Sequence, residues 1–407
     1  MPTASTVPAG PSRLWSRDFI LASLTNLFLA MVFYLLVTAM ALYAVDRFQA
    51  SDAMSGLAVG AYVLGAVLSR LLTGQAMDAI GRRKVLIGAL IAFLLASTLY
   101  LLANTLALLI AVRFVHGIAF GAAATVLAAS VIGLIPRHRR SEGTGWFGTS
   151  TTAGSAFGPL LAFQLTDAFG FDSLFLACTV FALFGLGAGL LVRLPAPPRP
   201  DGTGHRVRFT FSVRGMLSPQ ALPVSIVILL AGIAFSGVLA FLNGYAQQED
   251  LSPAVASSFF LIYGTVLVAT RFVVGPVHDR YGDNAAVIPL LVSFMAALAV
   301  LSAWPVPAGV FVAAALTAVG FGALLTSLQA IAVTVVPPLQ IGVATSTYFV
   351  MLDLGIGLGP VVLGALLPAT GYSGMYLAMA CLMAVTIGVY WLVHGRRPAA
   401  RLRTRGS

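Results

Sequence analysis

Ionisable side chains are scarce in this sequence, and a handful interrupt its long apolar runs: Arg70, Arg113, His116, Arg271 and Asp353. Burying any of them in hydrocarbon costs about 2.5–3.5 kcal/mol on the gentler scales, so each needs a partner or a task. A carboxylate among guanidinium groups can take up a proton and so make or break an ion pair. His116, one turn after Arg113, has the chemistry to relay a proton or to hydrogen-bond its neighbours. The excess of arginine over aspartate leaves the interior net positive, which suits a carboxylate-bearing or zwitterionic solute better than a lipophilic cation. A hydrolytic or metal-dependent site needs more than this. Asp353 is the sole acid at depth, and neither G-x-S-x-G nor H-E-x-x-H occurs, so enzyme chemistry is not expected. No G-x-x-x-x-G-K-[ST] segment is present either, so the expected energy source is a transmembrane proton gradient, with no metal and no cofactor.

The elements that hold these residues are apolar helices. The 407 residues are 59% hydrophobic and 9% charged, with a mean hydropathy of +0.97, whereas a soluble globule carries about 25% charged residues. Runs long enough to cross a hydrocarbon core of ~30 Å recur along the chain. They predict an all-α membrane protein of twelve transmembrane helices, the first near 19–45, the fifth near 144–164 and the last near 373–393. The expected organisation is a cytoplasmic tail 1–18, a six-helix bundle 19–193, a linker 194–222, a second six-helix bundle 223–393 and a basic tail 394–407. The first apolar run is too long for a signal peptide. Arg82, Arg83, Lys84, Arg137, Arg139, Arg140, Arg280 and the arginines of the last tail fall on one side of such a layout, with only Arg47 opposite. Basic loops face the cytoplasm, which places both termini there. The net charge of +10 is then a topology signal and calls for no nucleic acid. The expected partners are a lipid bilayer and a small-molecule substrate, with the chain working as a monomer. Lys84 is the sole lysine among 23 basic residues, a composition expected of a GC-rich bacterial genome and hence of a bacterial inner membrane.

The halves repeat. At a constant offset of 201 residues Tyr62, Arg70, Gly74, Asp78 and Gly81 align without a gap on Tyr263, Arg271, Gly275, Asp279 and Gly282. The same offset relates Thr125 to Thr326, Gly170 to Gly371, and Gly154, Gly158 and Pro159 to Gly355, Gly359 and Pro360. Two parallel six-helix repeats about an axis along the membrane normal are the arrangement such a match predicts. The match fails at one position of interest: the counterpart of Asp353 is Thr152, so Arg271 has no evident acidic partner.

Gly74-Gln-Ala-Met-Asp78-Ala-Ile-Gly81-Arg82-Arg83-Lys84 resembles motif A of the major facilitator superfamily. Leu109-x3-Arg113-x2-His116-Gly117 resembles motif B, with His116 where the family usually has Gln. Gly154-x3-Gly158-Pro159 resembles motif C, the antiporter motif. The resemblance implies the major facilitator fold and a secondary transporter, of the drug:proton antiporter type. An uptake symporter or facilitator is the alternative, and a non-transporting sensor a remote one. It also implies that the cytoplasmic ends of helices two and eleven face each other across the halves. Asp78 would then meet the N-terminus of helix eleven, and Asp279 that of helix five, where a helix dipole favours an anion. Arg70, Gly74, Gly81, Arg82, Arg83, Arg271, Gly275 and Gly282 would complete this gate. Arg70 lies eight residues before Asp78, about 12 Å along its helix, and Asp353 about 16 Å into helix eleven, which predicts an Arg70–Asp353 pair whose protonation biases the halves apart. Asp353, Arg113 and His116 are the candidates for proton coupling. Asn26, Arg113, Ser236, Asn243, Tyr263, Thr326 and Gln329 are the candidates for contact with solute. The Gly-Pro steps at 158–159 and 359–360 are expected to bend helices five and eleven.

Overall fold

A computed structural model describes residues 13–195, 216–397 and 400. In hydrocarbon each backbone polar group must be satisfied within its own segment, and the described residues are accordingly helical with no strand. Those of the first half form α1 (Arg17–Phe48), α2 (Asp52–Ile80), α3 (Arg82–Leu99), α4 (Leu106–Val131), α5 (Arg140–Phe169) and α6 (Phe171–Leu191). The second half starts with α7 (Leu222–Gln248), α8 (Pro253–Tyr281) and α9 (Asp283–Ala303). Next, α10 runs from Pro307–Thr317 through a wide π-helical turn, Ala318–Gly322, into Ala323–Thr334. The stretch Ile341–Tyr390 is interrupted at Gly371 (φ 64°, ψ 178°), which divides it into α11 (341–370) and α12 (372–390). Helix starts follow local chemistry. Ser16 and Thr105 accept hydrogen bonds from Phe19 N and Leu108 N at 3.3 and 3.2 Å, and Pro253 opens α8 with the φ a first turn needs.

Four glycines with positive φ make the tight joints, and they fall in pairs one repeat apart. Gly81 (φ 104°) and Gly282 (φ 90°) join α2 to α3 and α8 to α9, while Gly170 (φ 78°) and Gly371 join α5 to α6 and α11 to α12. A side chain at any of them would strain the turn. Backbone conformation thus repeats at the spacing read from residue types.

Each half carries its own core. Leu29, Leu35, Phe93, Leu127 and Phe175 pack in the first, and Phe235, Phe259, Phe294, Phe321 and Tyr376 in the second. The halves meet through α2 and α4 against α11, and α5 against α8 and α10. Large apolar side chains such as Leu64, Leu95, Leu183, Leu261 and Val385 point outward, as a lipid-facing surface requires.

Among the described residues eleven stretches are long and apolar enough to cross a membrane, and α5 is not one of them. Its sequence opens on Arg140, Ser141 and Glu142 and carries a hydroxyl run from Thr149 to Thr152. The physical reason is its place: α5 packs on α1, α8 and α10, and Ser141, Thr144 and Thr152 are buried there. The expected linker 194–222 falls in the gap between α6, which ends at Leu191, and α7, which starts at Leu222; its residues 196–215, like 1–12 and most of the basic tail, lie outside the described residues.

Candidate functional site

The end of the molecule that gathers Arg82, Arg83, Lys84, Arg139, Arg140 and Arg280 is where the halves lock. In the last turns of α8, Asp279 accepts from Ser141 N through Oδ1 and from Glu142 N through Oδ2, both at 3.0 Å. These amides belong to the first turn of α5, where they have no intrahelical acceptor and where the helix dipole is positive. A carboxylate in the second half therefore caps a helix of the first. One turn back, a Cβ on Gly275 would fall on the Glu142 backbone, so glycine is what lets α8 come this close. The other copy shows the same approach, with Gly74 against Gly342, Val343 and Ser346 at the start of α11. The side chain of Asp78 lies outside the described residues. Glu142 also pairs with Arg139, and that hydrogen bond raises the pKa of the Arg139 guanidinium above its ordinary value.

Deeper along the same seam, Arg70 of α2 reaches across to Asp353 of α11, with Nε 2.9 Å from Oδ2. The guanidinium lies over the rings of Phe349 and Phe120, at 4.6 and 6.0 Å from their centroids. Its side chain is 6% exposed and that of Asp353 17%, so this is a largely buried ion pair between halves. Arg271, one repeat on, is placed differently. Its Nη1 donates to Thr326 Oγ1 of α10 at 2.5 Å, its Cδ faces Gly145 and its guanidinium faces Gly148 of α5. Thr152, in the slot of Asp353, turns its hydroxyl back to Gly148 O at 3.2 Å.

Arg113 is fully buried and donates to the carbonyls of Ala58 and Val59 in α2, at 2.9 and 3.2 Å, over the Tyr62 ring. It ties α4 to α2 inside the first half. Both ring nitrogens of His116 are engaged, Nε2 with Ser97 Oγ at 3.2 Å and Nδ1 with Tyr100 Oη at 3.0 Å. The imidazole thus joins α3, the turn after it and α4. Arg83 donates to Leu190 O and Val192 O at the end of α6, so it caps a helix of its own half and does not bridge the gate; Arg82 is buried beside it in sequence. Asn26 is spent holding α1 to Ser150 and Thr151 of α5, at 2.7 and 2.9 Å. Ser236 bonds back to Ile233 O. Tyr263 is half-buried facing Phe235, and Gln329 is buried with its Nε2 lacking a hydrogen-bond partner.

Gly154 and Gly158 press α5 onto Ala30 and Tyr34 of α1, and Gly355 and Gly359 press α11 onto Gly232 and Ser236 of α7. Pro360 lies inside α11, and the non-helical backbone of that stretch is at Gly371; close packing of helix on helix is what the glycines of these motifs deliver. The side chains of Pro159 and Asn243 lie outside the described residues. One cluster escaped sequence reading. His278 Nε2 and His394 Nε2 each stand 2.8 Å from an oxygen of Asp283, joining the turn after α8 to the end of α12. The short His278–Asp283 spacing was a signal; His394 is too distant in sequence to have been one.

Two bundles locked at one end by repeated motifs, with a buried ion pair between them, invite comparison with known transporters. The family model described as Major Facilitator Superfamily matches residues 22–308 and 250–407. The chain belongs to the major facilitator superfamily. Its relatives include an uncharacterized MFS-type transporter of Burkholderia mallei (strain SAVP1), 26% identical over 370 residues, with 89% of this chain and 88% of the relative covered. Another is the uncharacterized MFS-type transporter YhhS of Escherichia coli (strain K12), 26% identical over 368 residues, with 88% of this chain and 87% of the relative covered. In fold the chain is similar to the human organic anion transporter MFSD10 (TETRAN), with a TM-score of 0.78 and 19% identity, covering 92% of this chain and 98% of that one. It is also similar to the proton:xylose symporter XylE, with a TM-score of 0.74 and 14% identity, covering 92% and 95%. It is a multi-pass membrane protein with the fold of a secondary transporter.

Proposed function

We propose that this chain is a proton-coupled exporter of a small organic molecule in a bacterial inner membrane, working by alternating access with twelve crossings and both termini cytoplasmic. The observation that carries the coupling is the Arg70–Asp353 pair, buried and shared between the halves. A proton on Asp353 cancels the charge that holds Arg70. Losing one partner's charge in a buried pair leaves the other uncompensated, at about 3–5 kcal/mol. That is enough to move a two-state equilibrium by several orders of magnitude. Deprotonation restores the pair and the closure around it. Asp279 on the start of α5 then serves as the cytoplasmic latch, and Asp78 is assigned the matching role at α11 by the repeat. α5 is read as the twelfth crossing because it packs on α1, α8 and α10 with Ser141, Thr144 and Thr152 buried. Export, rather than uptake, is favoured by the Gly154-x3-Gly158-Pro159 motif.

Everted vesicles test the reading. Acidifying the lumen should drive solute accumulation, and adding solute should release protons, in the native protein but not in Asp353→Asn. Wild-type coupling in Asp353→Asn would remove Asp353 from the mechanism, and accumulation under the opposite gradient would make the protein a symporter.

A further inference from the structure

The two halves treat equivalent arginines differently. Arg70 has a phenyl ring beneath it and a carboxylate before it, Phe349 and Asp353, both from α11. One repeat away, α5 offers Arg271 Gly148 and Thr152 at those two positions. Gly148 lets the guanidinium lie directly on the α5 backbone, and Thr152 spends its hydroxyl on its own helix. A second departure from symmetry lies in α10. The π-helical turn Ala318–Gly322 stands where α4 is regular, one turn before the Thr326 that accepts from Arg271.

Arg271 is thus 95% buried (5% exposed) with no carboxylate within ion-pairing distance among the described residues. Its Nε has no hydrogen-bond partner. A neutral hydroxyl is all that meets its charge. An uncompensated buried guanidinium is costly, and its planar fork fits a carboxylate. Aromatic rings stand further along the same helix: Tyr263, about two turns before Arg271 on α8, faces Phe235, which stacks on Phe321 at 4.0 Å.

We infer that Arg271 is the anchor for the carboxylate of the transported solute, which supplies the acid that the repeat has at Asp353 and lacks at Thr152. The substrate class is a small organic carboxylate. The inference rests on the transporter reading, and it joins substrate to mechanism: a bound carboxylate completes on α5 and α8 the bridge that Arg70 and Asp353 make on α2 and α11.

The test uses the purified full chain in lipid nanodiscs and reads its thermal unfolding midpoint against benzoate and against benzamide, its uncharged match. Benzoate should raise the midpoint of the native protein and benzamide should not, since a ligand stabilises the state that binds it. Arg271→Gln should weaken the benzoate response ~10–100-fold, the worth of hydrogen bonds to a charged group. Thr152→Asp keeps the arginine and places a carboxylate opposite it. It should raise the midpoint without ligand and abolish the benzoate response, which holds the test even where Arg271→Gln fails to fold. No benzoate shift in the native protein, an undiminished shift in Arg271→Gln, or a native shift in Thr152→Asp would each overturn the assignment. Vesicle assays on Asp353→Asn keep the two readings apart: solute-driven proton release that needs Asp353, without any benzoate shift, would spare the exporter and remove the anchor.

Discussion

Replacing Asp279 by Ala removes two hydrogen bonds that run between the halves, from Ser141 N and Glu142 N, each 3.0 Å long. Bonds to a charged acceptor contribute about 1.5–3 kcal/mol each. The lower figure applies, because opening the seam returns the carboxylate and both amides to water. Two bonds then amount to about 3 kcal/mol, with the dipole of α5 included, or roughly a hundredfold at 1.4 kcal/mol per factor of ten. A closed state favoured about 99 to 1 would fall to near parity. Asp279→Asn keeps an acceptor oxygen without the charge and should shift the balance about tenfold. Spin labels at Ile80 and Tyr281, 54% and 52% exposed at the basic ends of α2 and α8, report the separation of the halves by pulsed dipolar spectroscopy. The background would carry Cys178→Ala and Cys381→Ser. The label distance should lengthen in the order wild type, Asn, Ala. An Ala variant with the distance distribution of the wild type would show that the capped helix does not hold the seam.

Other perturbations separate packing from coupling. Gly355→Ala puts a Cβ on the backbone of Leu229 in α7, whereas Gly357 has open space around it. The first should lower thermal stability by about 1–3 kcal/mol, typical of overpacking, and Gly357→Ala should leave it unchanged. His116→Phe removes the imidazole bonded to Tyr100 and to Ser97, which keeps Phe93 O, and should cost about 1–3 kcal/mol of stability with the proton-to-solute ratio intact; a folded variant that transports without protons would give His116 the relay. Arg70→Met and Asp353→Leu should each destabilise the closed state by about 3–5 kcal/mol, and the double variant by much less. Additive losses in the label-distance assay would mean that the pair does not act as a unit.

The sequence alone determined what depends on solvent and on local geometry. Lipid demands helices of a set length, so apolar runs mark them, and only α5 blurs, because a helix shielded by protein has no need to be apolar. Gly81, Gly170, Gly282 and Gly371 stood out in the sequence through the repeat alone, and the positive φ that each needs came from the fold. The meeting of Arg70 with Asp353 was within reach of helix arithmetic once the family arrangement was assumed. What an individual buried polar group bonds to was decided only by the tertiary structure. Arg113 and His116 resemble functional residues in sequence, yet their partners Ala58, Ser97 and Tyr100 come from neighbouring helices whose rotation no periodicity gives. His394 reaches Asp283 across 111 residues for the same reason. Arg271 is the mixed case: its missing acid was visible at Thr152 in the sequence. Only the fold showed the guanidinium lying on Gly148, beside Thr326, with its charge unanswered.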